Sequence, residues 1–176
     1  MPLKRREDAT LLTGNGTYVD DVKFPNMLYA SFVRSSYAHA RIKHVDLSVA
    51  LKVPGVVFAI SGEEIKKLTK PLPFPVSLPG RKETPVYLLA IGKVHYTGEP
   101  VAVVVAENRY IAEDAAEKVV VDYEPLEAVI DVERALDQDA PILYDGWTSN
   151  EMIGFPFRIG EVDEELSRSD FVIKEK

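Results

Sequence analysis

Six consecutive apolar residues at 101–106 place the strongest constraint on the fold of this chain. All six are Val or Ala, so the run is apolar on both faces and is typical of an interior β-strand. A turn at 97–100 precedes it, and Asn108, a favoured N-cap residue, follows it before a helix predicted over 109–118. A further strand is predicted at 119–124. This strand–helix–strand core predicts an α+β (mixed α/β) fold with a mixed sheet.

The rest of the chain predicts short elements separated by turns. Alternating or compact apolar runs predict strands at 17–19, 27–34, 40–47, 56–60, 93–96, 155–159 and 171–174. Short helices are expected after Ser61, with Glu64 at the capping-box position, after Asp131, and over 162–167. Five prolines within 71–85 predict a surface loop. The last strand looks unfinished, which suggests a truncated or divided polypeptide.

Composition excludes several classes of function. The net charge of −7 argues against binding nucleic acid, and the 46% of apolar residues argues against disorder of the whole chain. The absence of cysteine excludes disulfides, thiolate nucleophiles and iron–sulfur clusters ligated by this chain. No apolar run reaches the length of a membrane span, and no secretory signal is present, so a cytoplasmic protein is expected.

Charge is unevenly distributed along the sequence. Residues 1–100 carry 14 basic and 9 acidic side chains, whereas 101–176 carry 7 basic and 19 acidic ones. Two readings are open: two solvated faces of opposite sign, or an electrostatically polar module that docks in one orientation.

The residues by themselves do not build a self-contained active site. His39, His44 and His95 lack metal-ligand spacing and are expected to be strand or turn residues. Gly14 and Gly16 begin like a dinucleotide fingerprint, but the third glycine and the preceding apolar strand are missing. The paired carboxylates lie in polar, turn-like or helix-start contexts rather than in an apolar cleft. No catalytic, cofactor-binding or metal-ligating residue is therefore predicted in this chain.

Ordered segments of the sequence nevertheless resemble a known family. They lie at 6–8, 11–21, 34–42, 54–57, 96–104, 112–117, 121–126 and 160–163. Together they resemble the N-terminal part of the large subunit of molybdenum hydroxylases, the xanthine dehydrogenase and aldehyde oxidase family, and the molybdenum type of carbon monoxide dehydrogenase looks most similar. The family-signature or interface candidates in these segments are Gly14, Gly16, Tyr18, Asp20, Arg34, His39, Arg41, Tyr96, Gly98, Glu99, Pro100, Tyr123 and Pro125.

The resemblance implies an α/β-hammerhead domain over 1–160. Residues 161–176 would form a helix and a truncated strand that lead toward an absent molybdenum-binding domain. The family's pyranopterin-binding segments and catalytic glutamate lie downstream, so the resemblance implies a structural, assembly role with no activity from this chain alone. The parent assembly would use molybdenum pyranopterin, [2Fe–2S] clusters and FAD. Its partners would be the iron–sulfur and flavin subunits and the molybdenum-binding remainder of the large subunit. That remainder would be a separate chain if the large subunit is divided.

Two other readings remain open at this stage. One is a free-standing module that keeps the hammerhead fold and binds a small molecule or a protein. The other is a small enzyme whose polar groups gather around His95, Tyr96 and Glu99, where the predicted turn is the most plausible place for them to meet.

Overall fold

The apolar run at 101–106 forms the central strand of a three-stranded sheet, as predicted. This strand, β5, spans Pro100–Ala106 and pairs antiparallel with β1 (Tyr29–Arg34) on one side and β3 (Val56–Ser61) on the other. Four of its residues are fully buried: Val101, Ala102, Val104 and Ala106. Val103 and Val105, which point to the opposite face from Ala102, Val104 and Ala106, are half-buried.

A second three-stranded sheet has β2 (Ala40–Asp46) at its centre. β2 pairs antiparallel with β4 (Lys93–Val94) and with β6 (Val120–Pro125). The mixed α/β class is confirmed, but the expected mixed sheet is divided into two antiparallel sheets. The two strands of the predicted strand–helix–strand core fall in different sheets, because β1 and β3 occupy both edges of β5 and leave no edge beside it for β6.

The helices are short, and the longest, α3 (Arg109–Ala116), connects the two sheets. The Asn108 side-chain oxygen accepts a hydrogen bond from the Ile111 backbone N–H at 2.9 Å, which confirms the predicted N-cap. Ala115 of this helix packs with Val104 of β5 and with Ala50 in a fully buried cluster. The remaining α-helices are α1 (Asp8–Leu12), α2 (Gly62–Ile65) and α4 (Val162–Arg168), and 3₁₀ turns lie at Val19–Asp21, Ala50–Lys52 and Arg134–Leu136.

Two predicted strands are not observed, and a third, over 155–159, includes residues 156 and 158, which lie outside the described residues. Residues 17–19 lead into a 3₁₀ turn instead, where the Asp21 carboxylate accepts a hydrogen bond from the Tyr18 N–H at 2.9 Å. Residues 155, 157 and 159, and residues 171–174, are irregular. Strands need a neighbouring strand to satisfy their backbone groups, and the described residues offer none in this part of the chain.

This computed structural model describes residues 5–74, 78–155, 157 and 159–175. The chain divides into unit 1 (Met1–Pro71 and Val86–Glu127) and unit 2 (Leu72–Pro85 and Ala128–Lys176). The described part of the predicted loop at 71–85 is irregular, and its Pro75 lies outside the described residues. None of the helices in these ranges has the length and apolar character that crossing a membrane requires.

Candidate functional site

The turn between β4 and β5 is where the structure brings several candidate residues together. The Gly98 N–H donates to the Ser35 carbonyl at 2.8 Å, and the Ser35 N–H donates to the Glu99 carbonyl at 2.9 Å. Arg34, at the end of β1, donates from Nη1 to the Gly98 carbonyl at 2.9 Å. Gly98 has a φ of +89°, a backbone conformation that L side chains rarely adopt. We call Arg34, Ser35, His95, Gly98 and Glu99 the turn cluster.

The Glu99 carboxylate is turned inward onto its own backbone. One oxygen accepts a hydrogen bond from the His95 N–H at 2.5 Å and lies 3.6 Å from His95 Nδ1. The two side chains are only 16% and 19% exposed. A carboxylate that accepts a backbone N–H fixes the turn in place, and this contact closes the segment between β4 and β5.

His39 lies beside the turn cluster and is almost completely buried. Its ring stacks on the ring of His95 with centroids 6.4 Å apart, and its Nδ1 lies 2.7 Å from the Glu127 carbonyl oxygen. Because a carbonyl can only accept, a hydrogen bond here is donated by Nδ1. Nε2 is buried and has no hydrogen-bond partner among the described residues.

Tyr123 lies on β6, and its hydroxyl is near the Ser35 hydroxyl of the turn cluster. Its ring packs against Tyr37 at a centroid distance of 5.1 Å. Its hydroxyl is buried and makes no hydrogen bond of good geometry with the described residues. Burial raises the pKa of Tyr123 above its usual value near 10, and the neighbouring Ser35 hydroxyl lowers that pKa in part.

The candidates in the first 21 residues form a separate group. Asp20 forms an ion pair with Arg109, the first residue of α3, at 2.8 Å. The hydrogen bond that Arg109 donates to the Asp20 carboxylate raises the pKa of the guanidinium. Tyr18 is exposed, and Gly14 has a positive φ of +72° where the chain turns after α1. A Cβ at Gly16 would lie 2.8 Å from the tip of the Leu11 side chain, which would have to move.

The remaining candidates have backbone or surface positions. Pro100 lies opposite Arg34, and its carbonyl accepts a hydrogen bond from the Ala90 N–H at 2.7 Å. Pro125 ends β6 opposite Ala40. Arg41 and Tyr96 are exposed, and Arg41 lies opposite Glu124 across the sheet. As family-signature or interface residues, all thirteen candidates stay predictions.

Ser35 was not among the candidate residues predicted from the sequence, yet it is the member of the turn cluster that follows β1 directly. Ser35 is 3% exposed, and its hydroxyl donates to the Tyr37 carbonyl at 2.9 Å while accepting from the Tyr37 N–H. The Ser-Ser dipeptide at 35–36 lies within a family-like segment and marks a local turn, which was the available signal. Nothing in the sequence indicated that this serine would be exchanging backbone bonds with residues more than sixty positions away.

The Arg34 and Glu99 side chains of the turn cluster bind backbone groups. The described residues contain no group of three or more His, Asp or Glu side chains placed to hold a metal ion. With no thiolate in its sequence, this chain does not fit an iron–sulfur cluster. The turn cluster connects the end of β1 to the turn between β4 and β5 through hydrogen bonds.

Comparison with known proteins gives the family. Residues 13–127 match the sequence profile of the aldehyde oxidase and xanthine dehydrogenase a/b hammerhead domain. The carbon monoxide dehydrogenase large chain of Afipia carboxidovorans is 46% identical over 140 residues, which are 80% of this chain and 17% of that protein. The nicotine 6-hydroxylase large subunit of Paenarthrobacter nicotinovorans is 37% identical over 169 residues, which are 96% of this chain and 21% of that subunit.

Solved structures agree with the sequence matches. Quinoline 2-oxidoreductase from Pseudomonas putida 86 superposes with a TM-score of 0.76 and 40% sequence identity, over 84% of this chain and 19% of that chain. This chain thus spans about a fifth of the length of the relatives it matches. Both the sequence profile and the superposition confirm the hammerhead fold expected from the resemblance. The chain belongs to the aldehyde oxidase and xanthine dehydrogenase family, through its a/b hammerhead domain.

Proposed function

We propose that this chain is the N-terminal structural and assembly portion of the large subunit of a molybdenum-dependent oxidoreductase. The observation that carries the proposal is the coverage: 80% of this chain matches only 17% of a carbon monoxide dehydrogenase large chain. The relative thus has about four-fifths of its polypeptide outside the match. On this proposal the catalytic machinery belongs to that larger part, and this chain shows no activity by itself.

The geometry of the turn cluster supports a structural role. The Glu99 carboxylate and the Arg34 guanidinium both bind backbone groups of the turn. Side chains committed to holding backbone are poorly placed to bind or transform a substrate, because catalysis requires groups aimed at the reacting atoms. The same contacts argue against a small enzyme centred on His95, Tyr96 and Glu99.

The proposal extends to cofactors, partners and compartment. One relative is the large molybdopterin subunit of nicotinate dehydrogenase from Eubacterium barkeri, and one similar structure is a Cu,Mo-containing carbon monoxide dehydrogenase. By this likeness, the assembly would contain molybdenum pyranopterin on the rest of the large subunit, with [2Fe–2S] and FAD subunits beside it, in the cytoplasm. Residues 1–160 would be the hammerhead domain, and 161–176 would lead toward the molybdenum-binding part.

Native mass spectrometry combined with molybdenum analysis tests the proposal. The chain is tagged and isolated from its own source under non-denaturing conditions. Recovery with a large molybdenum-containing polypeptide and iron–sulfur and flavin subunits supports the proposal. Recovery as a metal-free protein without these subunits contradicts it and favours a free-standing binding module. Oxidation of an aldehyde or purine by the isolated chain contradicts the non-catalytic part.

A further inference from the structure

The two faces of the β1–β5–β3 sheet are covered very differently. Side chains alternate between faces along each strand. On one face Val104 of β5 and Ala59 of β3 pack with Ala115 of α3. The opposite face carries two rows of paired residues, one of Phe32, Val103 and Ile60 and one of Ala30, Val105 and Phe58. We call these six residues the open face.

The open face is wholly apolar and largely accessible to water. Phe32 and Phe58 are 47% and 46% exposed, although each lies on a regular strand beside the central β5. Ala30 is exposed, and the other three residues are half-buried. A strand that is apolar on both faces is typical of a sheet covered on both faces, yet α3 covers one. A contiguous apolar patch of this kind marks an interaction surface.

The edge of the open face carries a fixed positive charge. The Arg34 guanidinium lies 5.7 Å from the centre of the Phe32 ring, and its Nη1 is bonded to the Gly98 carbonyl. The turn cluster therefore holds a cation at the border of the apolar rows. An apolar centre with a charged border is the arrangement found at protein–protein interfaces.

We infer that the open face is the surface on which the remaining polypeptide of the large subunit packs; this inference rests on the proposed function. About four-fifths of the polypeptide of these relatives lies outside the part that this chain matches. Two residues on each of three strands cover about 200 Å², from the strand spacing and rise per residue. A stable dimer needs about 800 Å² from each partner, so this face is too small to hold two copies together. A much longer polypeptide can cover it as one part of a larger contact.

Hydroxyl-radical footprinting read by mass spectrometry measures the exposure of individual side chains and tests the inference. It compares the isolated chain with the molybdenum-containing assembly recovered from its own source. We expect oxidation of Phe32 and Phe58 to fall about fivefold or more in the assembly, because the centre of an interface excludes water. Phe24 provides an internal reference, since it is 67% exposed and lies outside the open face.

Matched variants test the same surface by association. Phe32→Glu and Phe58→Glu place a charge on the open face, whereas Phe24→Glu places the same charge on an exposed phenylalanine elsewhere in unit 1. We expect each open-face variant to weaken recovery of the assembly about tenfold or more, a loss of about 1.4 kcal/mol in association. Phe24→Glu should recover it as the unsubstituted chain does. Far-UV circular dichroism and thermal unfolding of each isolated variant establish that the fold is retained.

The outcomes separate failure of the inference from failure of the proposed function. Recovery of the molybdenum-containing assembly with Phe32 and Phe58 still oxidised at the isolated rate overturns the inference and leaves the proposed function standing. Failure of the unsubstituted chain to recover any such assembly overturns both. Protection of the two phenylalanines in the isolated chain that rises with its concentration also overturns the inference, because it identifies a second copy as the occupant.

Discussion

The two units of the chain are stabilised in different ways. Unit 1 contains both sheets, α3 and every fully buried apolar side chain of the described residues. In the described part of unit 2 there is no strand, and its regular elements are α4 and one 3₁₀ turn. Burial of apolar side chains drives folding of the first unit. Unit 2 is stabilised by other kinds of contact.

Unit 2 relies on polar side chains that bind backbone. Asn150 accepts a hydrogen bond from the Leu143 N–H at 3.0 Å and donates to the carbonyls of Ala135 and Pro141 at 3.1 and 2.9 Å. Lys82 donates from Nζ to the Ser149 carbonyl at 3.0 Å and to the Ser149 hydroxyl at 2.9 Å. Irregular segments leave backbone groups without a ladder, so side chains must satisfy them.

Aromatic rings complete the contacts around Lys82. The Lys82 ammonium lies 5.0 Å from the centre of the Trp147 ring, and that ring packs on Tyr144 with centroids 4.7 Å apart. This chain therefore combines one unit with an apolar core and one unit held by hydrogen bonds and ring contacts. Hydrogen bonds of this kind are specific in geometry but contribute less to the free energy of unfolding than a buried apolar core does.

The largest effect is expected from the apolar core of unit 1. Leu89 is 1% exposed, so Leu89→Ala removes buried methyl groups and leaves a cavity. We expect the free energy of unfolding to fall by about 2–5 kcal/mol, measured by urea denaturation. Leu68→Ala is the matched control, because Leu68 is 75% exposed. Equal losses for the two variants would contradict the assignment of the core.

A smaller and local effect is expected in unit 2. Asn150→Ala removes three hydrogen bonds and leaves the Leu143 N–H without its partner, at a cost of about 2–3 kcal/mol. Hydrogen exchange should speed up at Leu143 while the amides of β5 keep their protection. Asn15→Ala is the control, since the Asn15 side chain donates to the exposed Thr13 hydroxyl. Equal acceleration in β5 would show that the two units unfold together.

Tyr123→Phe tests how the buried Tyr123 hydroxyl in unit 1 affects the pH dependence of stability. The pKa of Tyr123 is raised in the folded state, so the unfolded chain loses this proton first as the pH rises. Stability should therefore be unaffected below about pH 10 and fall above it, and Tyr123→Phe should remove that part of the fall. At pH 7 the variant should be neutral or more stable by up to about 1 kcal/mol, because it deletes a buried hydroxyl without a well-formed hydrogen bond.

Thermal unfolding across pH 7 to 11 measures this effect. Tyr110→Phe removes a hydroxyl from an exposed ring on α3 and serves as the control. A Tyr123→Phe variant that is less stable than the unsubstituted chain at pH 7 would show that the hydroxyl has a partner that stabilises the fold.

The smallest effect is expected at the Asp20–Arg109 ion pair. Both side chains are more than half exposed, so Asp20→Asn should hardly change the free energy of unfolding. It should speed proteolysis at Lys23, near the segment that the pair ties to α3, in low salt. The difference should disappear at high ionic strength, where screening weakens the pair in the unsubstituted chain. A difference that persists in high salt would assign the effect to packing. Arg168→Gln, which breaks the exposed pair with Glu164 in unit 2, is the control.

Local sequence signals predicted the elements whose stability is local. The apolar run at 101–106, the Asn108 cap, the turn at 97–100 and the Asp131 side chain that caps the next turn are all observed. Each depends on residues within a few positions of one another, so the physical cause lies in the sequence itself. The same reasoning failed for strands at 17–19 and 171–174, because an apolar run becomes a strand only where a partner edge exists.

In the candidate site, too, the local sequence did not predict contacts between distant residues. The sequence by itself determined which residues resemble the family, including Arg34, Gly98 and Glu99, and that no cysteine is available for a cluster. Only the tertiary structure decided that Ser35 joins two distant segments, that β5 and β6 lie in different sheets, and that Phe32 and Phe58 stay exposed. Strand pairing joins residues far apart in the chain, and the alternation of each strand then sets which face α3 covers. These are long-range choices, which no local pattern of residues contains.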